Sequence, residues 1–232
     1  MSVGRSARER VRAELTKEIT DLARRQLATD GAGGLSLRAV AREMGMVSSA
    51  MYRYFPSRDD LLTALIIDGY NAVGEVAERA DDGHDPADRL GRWLGLCHAV
   101  RDWALAHPHE YALIYGSPVP GYQAPQETLG AAGRAVTVFG RIVADATAAG
   151  ALRPPPGLPE PPAAVAGDAR TLREILPGET DTAVFLAVTA WTGLFGWLTM
   201  EVFGQFENVI EERRAAFEHT MRNHAALMGL RG

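Results

Sequence analysis

Apolar positions along this chain recur at helical steps almost throughout, and no convincing alternation of apolar and polar residues bounded by turn residues predicts a strand. Val11, Leu15, Ile19, Leu22 and Leu27 predict a first helix over about 9–28, stopped by Gly31, Gly33 and Gly34. Ser36 reads as the N-cap of a short helix over 37–44, ended by Gly45, and a second short helix is expected over 48–55. Pro56 breaks it. Ser57 then caps a long helix whose first turn carries Asp59 and Asp60, suited to the positive end of the helix dipole, and which runs through Leu61, Leu62, Leu65 and Ile66 towards Arg79.

The polar stretch 81–88 is the clearest internal break. Helices are expected over about 86–106, from Pro108 to Tyr115, over about 126–149, and finally over 181–203 and 207–229. Residues 154–162 contain six prolines and are expected to form an extended surface loop. The nineteen residues 182–200 carry no charge, long enough to raise a membrane span. Four threonines, two glycines and the absence of a basic clamp beside Asp181 and Glu201 argue instead for a helix buried in a core or subunit interface.

Composition changes this picture in three ways. The 232 residues suffice for one large or two modest domains with a real core. Cys97 is the single cysteine, so neither an internal disulfide nor a thiolate cluster is available; it reads as a small hydrophobe on a helix. The formal net charge of −5 conceals an asymmetry: residues 1–60 hold 11 Lys/Arg against 8 Asp/Glu, and the remainder 13 against 21. A basic reading head on an acidic body would look like this. The opening residues are charged and lack the apolar stretch of a secretory signal, so a cytoplasmic protein is expected.

The segment 36–62, SLRAVAREMGMVSSAMYRYFPSRDDLL, carries the strongest chemical signal. Two short helices joined by a three-residue turn with a glycine are the geometry of a DNA-reading helix-turn-helix. Val40, Ala41, Met44, Val47, Met51 and Phe55 are expected to face inward, with Gly45 permitting a positive φ between the helices. Ser48, Ser49, Ala50, Tyr52, Arg53 and Tyr54 are left outward: short polar groups, a cation and two phenols, suited to base edges and phosphates. An ordinary helical hairpin with a solvated face would share the periodicity, but exposed tyrosines beside an arginine favour a ligand.

Ser36, Val40, Ala41, Gly45, Met46, Tyr52, Tyr54, Phe55, Pro56, Ser57 and Arg58 stand in the register of the tetracycline-repressor (TetR) family, which this segment resembles. It departs from the family pattern at Met44, where alanine is usual, and at Val47, where a capping serine is usual; Ser48 is expected to take over as cap. The resemblance implies that Ser36, Tyr52, Tyr54 and Arg58 contact phosphates and that Arg38, Ser48, Ser49, Ala50 and Arg53 read bases. Arg5, Arg8, Arg10 and Arg12 are either a further contact to a neighbouring groove or phosphate, or a solvated tail.

More loosely, 107–125 and 190–206 resemble the WHG-like C-terminal domain of one actinobacterial-type branch of that family. The expected architecture is all-α: an N-terminal three-helix helix-turn-helix DNA-binding domain over 1–57, then a helical ligand-sensing and dimerisation domain over 58–232, with helix 58–80 connecting them. Single aromatics there read as core. As a set, Trp103, Tyr111, Tyr115, Tyr122, Phe139, Trp191 and Phe195 are candidates to line a mostly apolar pocket for a small hydrophobic or aromatic effector. Ile210, Phe217, Met221 and Met228 form a stripe expected to build a homodimer through a four-helix bundle. Two heads on a two-fold axis imply a near-palindromic operator on double-stranded DNA.

His107, His109 and Glu110 do not make a metal motif, because 107 and 109 point to different sides of a helix; helix-end and surface histidines are expected, with no cofactor. No nucleophile or acid–base pair at workable spacing supports an enzyme. The rival readings are a helical adaptor that merely dimerises, which leaves Tyr52, Arg53 and Tyr54 idle, and an activator without small-molecule control.

Overall fold

The computed structural model describes residues 3–230, with side chains from Ala7 onward. Among these residues ten α-helices follow one another: α1 (Val3–Gly34), α2 (Leu37–Glu43), α3 (Ser48–Met51), α4 (Arg58–Asp82), α5 (Arg89–Ala106), α6 (Pro108–Tyr115), α7 (Thr128–Ala148), α8 (Ala166–Leu172), α9 (Asp181–Val202) and α10 (Arg213–Met228). Among the described residues there is no strand, only a lone antiparallel bridge between Leu152 and Leu230. The fold is all-α.

Local chemistry accounts for the boundaries. Gly31 sits at φ 68°, ψ 175°, a conformation open to glycine, and interrupts the helical backbone of α1. The Ser36 side chain accepts from the Ala39 N–H and caps α2. Ser57 Oγ accepts from the Asp60 N–H at 3.1 Å and donates to the Asp60 carboxylate at 2.6 Å, which closes the first turn of α4. Pro108 occupies the first turn of α6, where its missing N–H costs nothing. Thr180 caps α9, and Gly229 ends α10 in the left-handed region. Residues 154–162 form no regular element. Helix α8 has no counterpart in the expectations, and α10 begins at Arg213 because turns occupy 203–209, with Asn208 at φ 59°.

The chain divides into two compact units, residues 1–70 with 107–131, and 71–106 with 132–232. The first is not coextensive with the expected 1–57 domain, since it also takes in the start of α4, helix α6 and the loop behind it. Its core gathers Ile19, Leu22 and Ala23 from α1, Val40 and Ala41 from α2, Met51 and Phe55, and Leu61, Leu62, Leu65 and Ile66 from α4. Leu113, Ile114, Val119 and Tyr122 pack against it. A continuous apolar cluster of this kind contributes most of such a unit's stability.

The second unit is built around α5, α7, α9 and α10. Trp93, Leu96, Cys97 and Val100 of α5, Phe139 and Ile142 of α7, Leu194 and Leu198 of α9, and Phe217 and Met221 of α10 are all fully buried. The Trp93 indole N–H donates to the Met221 carbonyl at 2.9 Å, so the buried ring leaves no unpaired donor. Helix α9 is long and apolar enough to cross a membrane by composition alone. Ala183, Val184, Ala187, Ala190, Leu194 and Leu198 along it are buried in the protein.

Candidate nucleic-acid interface

The helix-turn-helix is assembled from α2, the turn at Gly45 and α3. Gly45 adopts φ 65°, and the following Met46 N–H returns to the Ala41 carbonyl at 2.8 Å, reversing the chain in the space of three residues. Val40, Ala41, Met51 and Phe55 lock the pair from inside, and Met44 packs partly buried against them. Val47 corrects the expectation. It is 69 % exposed and stands at the N-cap position of α3, with no side-chain capping bond. Ser48 is therefore the first residue of the helix and not its cap, because the extended backbone (ψ 139°) falls one residue earlier. The reading helix itself is short, ending at Met51, and turns carry the chain through Tyr52, Arg53 and Tyr54.

Around this frame Arg38, Ser48, Ser49, Tyr52 and Arg53 are exposed, Tyr52 to 43 %, and Ala50 is half-buried. Three side chains expected at the DNA are engaged within the protein. The Ser36 hydroxyl caps α2, while its N–H reaches the Gln26 side-chain carbonyl at 3.3 Å. Tyr54 packs on the core with the Arg12 guanidinium 5.5 Å from its ring centroid. Arg58 donates from Nη2 to the Ala32 carbonyl at 2.6 Å and from Nε to the Leu35 carbonyl at 3.1 Å, which ties the start of α4 to the end of α1 and the loop behind it. Arg12, expected either at a neighbouring groove or phosphate or in a solvated tail, donates to the Arg53 carbonyl at 3.1 Å. A link across 41 residues leaves no trace in local sequence pattern.

The aromatic residues expected at an effector pocket fall into two groups. Tyr111, Tyr115 and Tyr122 belong to the first unit: Tyr111 and Tyr115 lie 5.2 Å apart by ring centroids, Tyr70 meets Tyr115 edge-on, and the Tyr122 hydroxyl hydrogen-bonds Thr63 at 2.8 Å. Burial, reinforced by the neighbouring phenols of Tyr70 and Tyr111, pushes the Tyr115 hydroxyl far above the usual tyrosine range. Trp103, Phe139, Trp191 and Phe195 belong to the second unit. There Phe139 stacks on Trp191 at 5.4 Å and 11°, and Trp191 meets Phe195 edge-on at 5.0 Å. Phe139 also touches the buried Trp93, and Trp103 is itself buried.

The stripe expected at the dimer interface is corrected by burial. Phe217, Met221 and Met228 are 0–1 % exposed within a single chain, so they pack the second unit's own core; Ile210 is half-buried. The exposed positions of α9 are Thr189, Thr192, Gly196 and Met200, followed by Phe203 at its C-cap, all without charge.

Comparison with known proteins adds to this geometry. The profile of bacterial regulatory proteins of the tetR family matches residues 19–65, and that of the tetracyclin repressor-like C-terminal domain matches 93–224. The HTH-type transcriptional regulator Rv1816 of Mycobacterium tuberculosis is 42 % identical over 205 residues, covering 87 % of this chain and 85 % of that protein, and regulator Mb1846 of Mycobacterium bovis matches equally well. The crystal structure of SCO4313 superposes with a TM-score of 0.74 at 36 % identity, covering 94 % and 98 % of the two chains. A tetR-family regulator from Rhodococcus RHA1, with a TM-score of 0.62 and 15 % identity over 94 % and 98 %, shares the fold.

Proposed function

This chain belongs to the TetR family of DNA-binding transcriptional regulators, and from that premise we propose that it is a cytoplasmic, dimeric repressor released from a near-palindromic operator by a small hydrophobic or aromatic molecule. The observation that carries the reading is the exposure of Ser48, Ser49, Tyr52 and Arg53 on a helix-turn-helix whose opposite side is closed by a fully buried core. Hydroxyls and a guanidinium on one rigid surface supply donors and acceptors for base edges, and Arg53 against a guanine would discriminate by about 1–3 kcal/mol. Arg38 adds a second cation, while Ser36, Tyr52, Tyr54 and Arg58 set the register on phosphates. Arg58 serves this mainly by holding the α1–α2 loop.

The uncharged outer side of α9 supports the dimer. Met200 and Phe203 are 43 % and 44 % exposed, and a second copy of the helix would remove them from water. Two heads on one axis then require half-sites about a helical turn or more apart. For the effector, the half-buried Trp191, stacked on Phe139, and the half-buried Phe195, edge-on to Trp191, offer an aromatic wall. Such a ligand releases DNA only as far as it prefers one arrangement of the dimer over the other.

The test is fluorescence anisotropy on DNA from upstream of the protein's own gene, against scrambled duplex, with Tyr52→Ala and Arg53→Ala alongside. Selective binding that both variants lose supports the reading head. Binding that ignores sequence, or variants that behave as wild type, sinks it.

A further inference from the structure

Helix α1 continues back past the expected start at Glu9 to Val3, so Arg8 and Arg12 fall one turn apart on a helix and not in an extended arm. With Ala7, Val11 and Tyr54 they line a groove of about 450 Å³, open to solvent, on the unit that carries the helix-turn-helix. Arg5 lies outside the described side chains. No carboxylate is among the described residues that line it. The groove thus joins two guanidinium groups to an apolar surface that includes Val11, 54 % exposed. An anion carried on an apolar frame suits this lining better than a neutral or purely apolar occupant.

Arg12 has a second role in the geometry. It lies over the Tyr54 ring at 5.5 Å and donates from Nη2 to the Arg53 carbonyl at 3.1 Å. A guanidinium carries five N–H donors in one plane. One bond to a carbonyl, with a face against a ring, leaves in-plane donors for an anion and fixes where they stand.

We propose that this groove holds the sugar–phosphate backbone flanking the bases read by α3. Arg8 and Arg12 bind phosphate, Val11 packs on deoxyribose, and Arg12 is also a positioning residue that sets Arg53 through its carbonyl. The proposal rests on the DNA-reading function of the helix-turn-helix and adds to it a second contact, made by α1.

The experiment uses the full chain and a duplex enriched from a random library by the wild-type protein, with binding followed against salt. Each lost phosphate contact flattens the slope of log affinity against log salt by about 0.9. Arg8→Ala is expected to lose that much slope, and on the order of tenfold in affinity, with base preference unchanged. Arg12→Ala loses the slope and also relaxes preference at the base pair that Arg53→Ala relaxes; Arg12→Lys recovers slope but not preference. Replacing a flanking phosphate by a neutral methylphosphonate weakens wild type and leaves Arg8→Ala unmoved. Arg8 is exposed, so its variant keeps the fold. A wild-type slope and affinity in Arg8→Ala would overturn the groove, while Arg53→Ala reports separately on the base-reading surface. If wild type enriches no duplex, both fall.

Discussion

In the unit that carries the helix-turn-helix, Arg24 gathers Asp21, Asp68 and Glu110 from α1, α4 and α6, and all four side chains keep between 20 % and 42 % of their surface in solvent. In the other unit Arg92 meets Asp81 and Arg101 meets Glu201, and none of these four side chains is more than 7 % exposed. Asp145 completes the first pair, and the Trp197 N–H donates to Glu201 in the second. Shallow pairs sit in high dielectric, are worth little and re-form readily. Deep pairs have lost their water, so each charge depends on its partner. Arg24 links its helices at the surface, in water; Arg92 and Arg101 link theirs from inside the second unit.

The largest expected effect follows from that contrast. Arg101→Ala strands Glu201 in the core and is expected to cost about 3–5 kcal/mol in urea unfolding. Arg24→Ala, at the shallow hub, is expected to cost under about 1 kcal/mol. Replacing Arg101 and Glu201 together by Met should recover most of the loss. Equal costs for Arg101→Ala and Arg24→Ala would erase the distinction between the units.

Next come substitutions on the outer side of α9. Met200→Glu with Phe203→Glu is expected to cost the monomer less than Arg101→Ala does, because the two side chains keep 43 % and 44 % of their surface in solvent. The same pair should raise the dimer dissociation constant by on the order of a hundredfold in analytical ultracentrifugation, since four carboxylates would meet across an apolar interface. A dimer unchanged by it would move the interface off α9. A smaller loss is expected in the head. Arg53→Ala should cost about 1–3 kcal/mol of operator discrimination while its melting curve overlays the wild type.

What could be read from sequence divides along the same line. Signals confined to one turn were legible: the Ser36 and Ser57 caps and the Gly45 reversal lie where the pattern put them, whereas α3 ends at Met51, one turn short of the break expected at Pro56. So was the register of Val40, Ala41, Met51 and Phe55. The start of α3 was misplaced because Val47 takes the cap position without a capping side chain, which only backbone geometry reveals. Phe217, Met221 and Met228 were correctly apolar, but periodicity reports that a side is buried and not against what. Arg12 with Arg53, Arg92 with Asp145 and Arg101 with Glu201 join residues 41, 53 and 100 positions apart, beyond any local pattern.

The smallest effect is a difference in pH response. Burial, with Arg214 adding to it and Glu218 and Asp102 partly opposing, holds His98 below the ordinary imidazole value of 6.5, and burial does the same for His224. Both lie in the second unit. Unfolding therefore takes up protons in mild acid: the stability these rings contribute is whole above 6.5 and is lost as pH falls through their lowered folded values. Asp68 in the first unit has the opposite sign. Burial, outweighing Arg24, raises its carboxyl above 3.8, so its contribution is greatest below that value and is lost as pH rises through the raised one. Hydrogen exchange at pH 7.5 and 5.5, corrected for intrinsic rates, should show protection falling in α5 and α10 more than in α1. The double variant His98→Gln, His224→Gln should flatten the fall. If the variant keeps the full acid loss, other groups carry it and the two rings are bystanders.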